Sequence, residues 1–192
     1  MFNDKSKIGD IVDATVTRNG GATEIVGLTG VYVAECYDKE GNLKWSDKIE
    51  NLTTNVGRQL LLNSFFANTG GGTFVMGLMG TGTPAYTDTQ ASHPSWLEVG
   101  GVNSPTYSGT RKTPTYSSAT NANPSVLTTT TPVVFNMTSS GIVAGAFINV
   151  GGSATIDSTT GTLFSAGDFT AGSKTVTSGD TINVTYTLSA AG

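Results

Sequence analysis

The chain has 192 residues, a formal net charge of −4 and one cysteine. That length suits one domain with a real core and an appended arm, while the acidic balance lacks the basic patch of a nucleic-acid binder and a lone Cys36 excludes a disulfide framework or a multi-cysteine zinc site. No apolar run reaches the roughly 18 residues of a membrane-spanning helix, and the start MFNDKSKIGD has no apolar h-region, so neither a membrane nor a secretory route is expected and synthesis is placed in a cytoplasm.

Residues 1–9 read as a polar terminus. In the following IVDATVTRNGGATEIVGL, Val12, Ala14 and Val16 alternate, NGG signals a turn, and Ile25, Val26 and Leu28 resume. Residues 1–29 are therefore expected to be an arm or hairpin, and 30–192 the body. GVYVAECY is a strand by its β-branched and aromatic content. NLKWSDKI is its partner, with Leu43, Trp45 and Ile49 apolar and Lys44, Ser46 and Lys48 polar. The period then changes. Val56, Leu60, Leu61 and Phe65, with Leu62 and Phe66, recur at helical spacing. This predicts one helix over about 54–67, capped by Thr53, Thr54 or Asn55 and stopped by Asn68 or Gly70. Gly57 inside it points to close packing against a strand.

Beyond the helix the pattern is all β. TFVMGLMG is a short strand. Residues 80–124 hold five of the six prolines and form a long loop region with short strands around Trp96 and Tyr107. SVLTTTTPVVFNM, GIVAGAFINVGG, GTLFSAG, KTVTSGD and TINVTYTLSA close the chain. In the last, Ile182, Val184, Tyr186 and Leu188 alternate with Asn183, Thr185 and Thr187. The fold class expected is mainly β, a β-sandwich with a jelly roll among its candidate forms, one amphipathic helix and an N-terminal arm. Charge is uneven: residues 1–62 carry 7 of the 10 Lys and Arg and 9 of the 14 Asp and Glu. The remainder, poor in Lys and Glu, resembles the composition of interface cores.

Candidate chemistry is sparse. Asp38, Glu40 and Asn42 mimic the first ligands of a calcium loop, but the glycine falls at position 4 and position 12 is Ile49. A hairpin turn, with Asp38 starting it and Gly41 at the bulge, fits better, with Trp45 turned to the core. His93 is the only histidine, in ASHPSWLE, with no nucleophile elbow; it reads as a loop residue. Asp88 and Glu98 flank it, and Trp96 would stack on a sugar ring, yet a core or loop anchor is the commoner role. Cys36 reads as a buried inert thiol. Arg111 and Lys112, the densest basic pair, read as a solvated loop tip. No catalytic, metal or cofactor-binding residue is assigned, and no cofactor or enzymatic activity is expected.

The specific words carry more. VAECYDKEGNLKWSDKIENLTTNVGRQLLLNSFF combines an aromatic-Asp-x-x-Gly-Asn hairpin, Leu-Lys-Trp on the return strand, and Asn-Leu-x-Thr-Asn-x-Gly before a Leu-rich helix ending in Phe. It resembles a recurring opening of virion structural proteins of tailed bacteriophages. The end, GTLFSAGDFTAGSKTVTSGDTINVTYTLSAA, is similar to their closing strands at Phe169, Gly172, Gly179 and Asp180, and SHPSWLEV resembles a His-x-x-Trp-x-Glu segment between them. The resemblance covers roughly residues 30–100 and 141–190 and leaves 1–29 and 101–130 unmatched. It implies a non-enzymatic virion protein. The favoured expectation is a capsid decoration (cement) protein on the outer surface of the major capsid protein shell, homo-oligomeric with a trimer favoured. A tail or fibre component, adaptor-associated or host-recognising, is the alternative. A carbohydrate-binding β-sandwich module using Trp96 and His93 is a lower one.

Overall fold

The computed structural model describes residues 27–69 and 71–191, and of Phe65 and Phe66 the backbone alone. The expected arm thus lies outside the described residues up to position 26, and the candidate helix stop Gly70 lies outside them too. Residues 27–29 are not arm but strand.

β1 (Gly27–Tyr37) and β2 (Leu43–Glu50) form an antiparallel hairpin. Along β1 the period-2 alternation sends Tyr32, Ala34 and Cys36 into the core, each 0% exposed, and leaves Val31, Val33, Glu35 and Tyr37 half-buried on the other face. The turn is built by Asp38. Its carboxylate accepts the backbone N–H of Glu40 at 3.0 Å and of Asn42 at 2.8 Å, and the Asn42 amide at 3.0 Å. Gly41 sits at φ +87°, where a Cβ is disfavoured. These bonds hold the Asp38 carboxyl below its ordinary range, the Asn42 side chain first among them. The carboxylate is spent on the turn, as the hairpin reading expects. A bulge between Cys36 and Tyr37 then shifts the register. Leu43 pairs with outward-facing Tyr37 and is 56% exposed, so it leaves the apolar face assigned to it. Trp45 is half-buried rather than a core residue. It meets Phe169 edge-on at 5.3 Å and donates its indole N–H to the Thr175 carbonyl at 3.2 Å.

β3 (Leu52–Thr53) leads into α1 (Asn55–Phe66). Thr54 is the N-cap: its hydroxyl accepts the Gly57 N–H at 3.0 Å and donates to the Leu163 carbonyl. A Cβ on Gly57 would lie 2.2 Å from the Phe164 carbonyl oxygen, which is the close approach to a strand its position implied. Asn68, at φ +51°, ends the helix, with the Thr69 N–H returning to the Asn63 carbonyl at 3.1 Å.

β4 (Phe74–Gly82) and β5 (Trp96–Val99) pair antiparallel. β6 (Ser125–Thr128) and β7 (Val133–Asn136) follow, then β8 (Gly141–Val143), β9 (Gly145–Val150), β10 (Thr162–Asp168), β11 (Lys174–Val176) and β12 (Thr181–Ala191). GIVAGAFINV is therefore two strands. They break at Ala144, whose N–H turns to the Met79 carbonyl at 2.8 Å. Gly145 is required there, since a Cβ would strike the Gly167 carbonyl at 1.9 Å.

Two main sheets result. The first runs β2-β1-β12-β6, with β7 also on β12; the second runs β3-β10-β9-β4-β5; β8 and β11 make a small ribbon. β6 and β7 follow one another along β12 with registers offset by two residues, Thr128 opposite Thr187 and Val133 opposite Val184. They are one edge strand interrupted at TTTP, where Pro132 has no N–H to lose. The sheets pack face to face over Tyr32, Phe135, Ile182, Val184 and Tyr186 from one side and Met76, Leu78, Ile148 and Phe164 from the other. Tyr32 and Tyr186, ring centroids 4.5 Å apart, reach across: the Tyr32 hydroxyl bonds Ser165 at 2.6 Å, and the Asn51 amide donates to the Tyr186 hydroxyl at 3.0 Å.

Candidate functional site

The fold is a mainly β sandwich of two antiparallel sheets with a single short helix among its described residues. Three surfaces of it bear on function.

The outer face of the second sheet carries a smaller core of Met79, Trp96, Phe147, Leu163 and Ala166, roofed by the long loop region. Here most of the sequence-predicted candidates meet. Trp96 is 1% exposed. His93 stacks on it at 3.9 Å and 19°, with Nδ1 3.0 Å from the Trp96 carbonyl. The Trp96 indole N–H donates to Asp88 at 2.9 Å, and Asp88 also accepts the Ala85 N–H at 2.9 Å. Trp96 is thus a loop anchor with no ring face open to a sugar. Asp88 and Glu98 face different partners and make no acid–base pair across a cleft.

Glu98 belongs to Arg111. The guanidinium makes two parallel bonds to it, Nε to Oε1 at 2.8 Å and Nη2 to Oε2 at 2.6 Å, with the side chains 0% and 3% exposed. Arg111 also donates to the carbonyls of Ser153 at 3.0 Å and Ser158 at 2.8 Å, and lies 5.4 Å from the Phe147 ring centroid. Beside it Asn149 donates to Gln90 at 2.8 Å. Arg111 is therefore no solvated loop tip. Lys112 is half-buried, lies 5.4 Å from the Tyr107 ring centroid and donates to the Ser108 carbonyl at 2.6 Å. The backbone of Lys112 pairs with Met76, placing the Arg111 segment along β4 and carrying the side chain inward. The signal available was isolation: Glu98 and Arg111 are opposite charges in a stretch almost devoid of others, where a buried partner is the way to keep a charge under a roof.

The β1–β2 end holds a further group of ionisable side chains. Cys36 is 0% exposed, with Sγ 3.8 Å from Asp180. Burial, then the Asp180 charge, pushes its thiol up to about 12, as an inert thiol requires. Asp180 pairs with Lys44 at 2.5 Å and accepts the Thr177 N–H at 2.7 Å; Asp47 pairs with Lys174 at 2.6 Å. Burial works against ionisation of both carboxyls, but these partners outweigh it and hold both below the ordinary range. Among the described residues no group of three or more His, Cys, Asp or Glu is placed to hold a metal ion. No helix among them is long and apolar enough to cross a membrane.

The third surface is the outer face of the first sheet. β1 and β12 pair over eleven residues, and their outward side chains are half-buried, with Pro132 beside Val33 and Asn183. Val31, Val33, Asn183, Thr185 and Thr187, with Glu35 opposite Asn183, form a half-buried centre; Lys48 and Glu50 on β2 and 44%-exposed Val134 on β7 lie around it. Glu35, at the same face, is held by the Tyr37 hydroxyl at 2.8 Å.

Comparison of the chain with protein-family models, curated proteins and solved structures returns no match.

Proposed function

We propose that the protein is a structural component of a bacteriophage particle: a capsid decoration, or cement, protein that binds the outer surface of the major capsid protein shell and stabilises it. It works as a homo-oligomer, a trimer being favoured, on the virion surface, without catalysis. The observation that carries this reading joins sequence to fold. The two segments that resemble virion proteins, 33–66 and 161–191, are more than ninety residues apart, yet they meet: β1, β2 and β12 lie side by side in the first sheet, and β3 with α1 packs on β10. The virion-like words thus supply neighbouring strands in both sheets, and in the first sheet they share one outward face. Its outward face has a half-buried centre of mostly short and β-branched side chains, Glu35 its one charge, with further charges around it, a composition suited to a protein interface. Many such weak contacts repeated around a shell add to high avidity.

The test places arginine at Val33 and at Thr185, separately, and measures binding of each protein to particles lacking their native copy. Both residues point outward, so folding should be unaffected while particle binding falls at least tenfold. Unchanged binding of both variants, with intact folding, would remove this face from the account.

A further inference from the structure

A groove opens between α1 and the β6–β12 side of the first sheet. It has a volume of about 420 Å³ and is walled by Leu60, Leu61, Phe74, Tyr116, Leu127 and Leu188. Phe74 is 38% exposed at its rim. Tyr116 leans edge-on against Phe74 at 5.7 Å, and its hydroxyl is buried with no hydrogen-bond partner among the described residues. An apolar trough of this kind suits an extended peptide, whose alternate side chains fill it.

The described chain begins beside it. Leu188 lies opposite Gly30 on β1 and opposite Leu127 on β6. Gly27 is three residues from Gly30 along the same ladder, about 10 Å at the rise of a strand. The residues before Gly27 include Val12, Ala14 and Val16, which share one side of an extended segment. Eleven residues take Val16 to Gly27, a reach of up to about 36 Å. The tether is long enough to bend at Asn19-Gly20-Gly21 and return.

We propose that this groove seats the chain's own N-terminal segment, with Val12, Ala14 and Val16 laid against Leu60, Leu61 and Leu127. The tether selects this occupant. A segment joined so close to its groove is present at an effective concentration in the millimolar range, which an unrelated peptide does not reach in dilute solution.

The test uses the full chain. Thr17→Cys gives one reactive thiol beside Val16, because Cys36 is buried. A nitroxide on it should strip most of the signal from the Leu61, Leu127 and Leu188 methyls, independently of concentration. No loss should appear when spin-labelled and isotope-labelled chains are different molecules. Undiminished methyl signals overturn the proposal, and so does loss in the mixed sample, which means a second copy supplies the segment. In the unmodified chain, amides 12–16 should exchange at least tenfold more slowly than unstructured peptide. Leu61→Glu should abolish that protection and leave β9 and β12 protected. Unprotected amides in the unmodified chain overturn the proposal without any variant.

Discussion

Replacing Arg111 with methionine removes both bonds to Glu98 and those to the Ser153 and Ser158 carbonyls. The Glu98 carboxylate, 3% exposed, keeps only the Asp157 N–H at 2.9 Å. Stranding a buried charge in this way costs about 3–5 kcal/mol. At roughly 2–4 °C per kcal/mol for a domain of this size, the midpoint should fall by roughly 6–20 °C. Glu98→Leu strands the opposite charge and should cost a similar amount. The double variant behaves differently. Both charges are gone, the methionine still covers Phe147, the Ser158 carbonyl keeps the Gln90 amide at 3.3 Å, and the residual penalty is the Ser153 carbonyl and the Asp157 N–H left unpaired, about 1–3 kcal/mol each at most. The double variant should therefore be milder than the sum of the singles by at least about 2 kcal/mol. Denaturant unfolding at neutral pH measures all four proteins, with m held constant as the check that one transition is being compared. Additive single effects, or an Arg111→Met cost below about 1 kcal/mol, would falsify the idea that this pair pins the loop roof to the second sheet.

Gly57→Ala should destabilise the protein even though alanine is the better helix former by about 1 kcal/mol. The new Cβ would lie 2.2 Å from the Phe164 carbonyl, so α1 must move off β10, at about 1–3 kcal/mol net; thermal unfolding reads the sign, and a stabilised variant would refute that close packing. Asp47 and Asp180 have lowered carboxyl pKa values, so their contribution is complete above the unfolded value near pH 4 and is lost as pH falls through the folded ones. Asp168, raised by burial against a bond from Thr83, contributes in the opposite direction. Stability should hold down to about pH 4 and decline below it, and Asp47→Asn with Asp180→Asn should be less stable at pH 7 with a shallower acid decline, both followed by unfolding across pH.

Local chemistry was legible in the sequence where local rules decide. The alternation of β12 predicts its buried set, Ile182, Val184 and Tyr186, because one face of the strand meets the core. Thr54 caps α1, Gly57 touches a strand and Asp38 closes the turn because each acts on neighbours a few residues away or through a steric absence that only glycine supplies. What was not legible depends on partners far along the chain. Arg111 is drawn inside by Glu98 and by carbonyls more than 40 residues on. Leu43 is turned outward by a single bulge, which no apolar pattern announces. The loop region hides its order for the same reason. It is held by isolated bridges such as Tyr107 to Met137 and Tyr116 to Thr129, and each needs the sandwich in place first. Of the candidate site residues, His93, Trp96, Asp88 and Glu98 do converge, but on a roof: proximity in sequence marked a structural anchor there.

Copy number in purified particles tests the central claim most directly. The protein and the major capsid protein are quantified in the same particles by isotope-standard mass spectrometry. A decoration protein is predicted at about one copy per major capsid subunit, or a fixed fraction set by the shell's symmetry, released without loss of tails. A content of about a dozen copies per particle, travelling with separated tails, would contradict the account and assign the same fold to the tail.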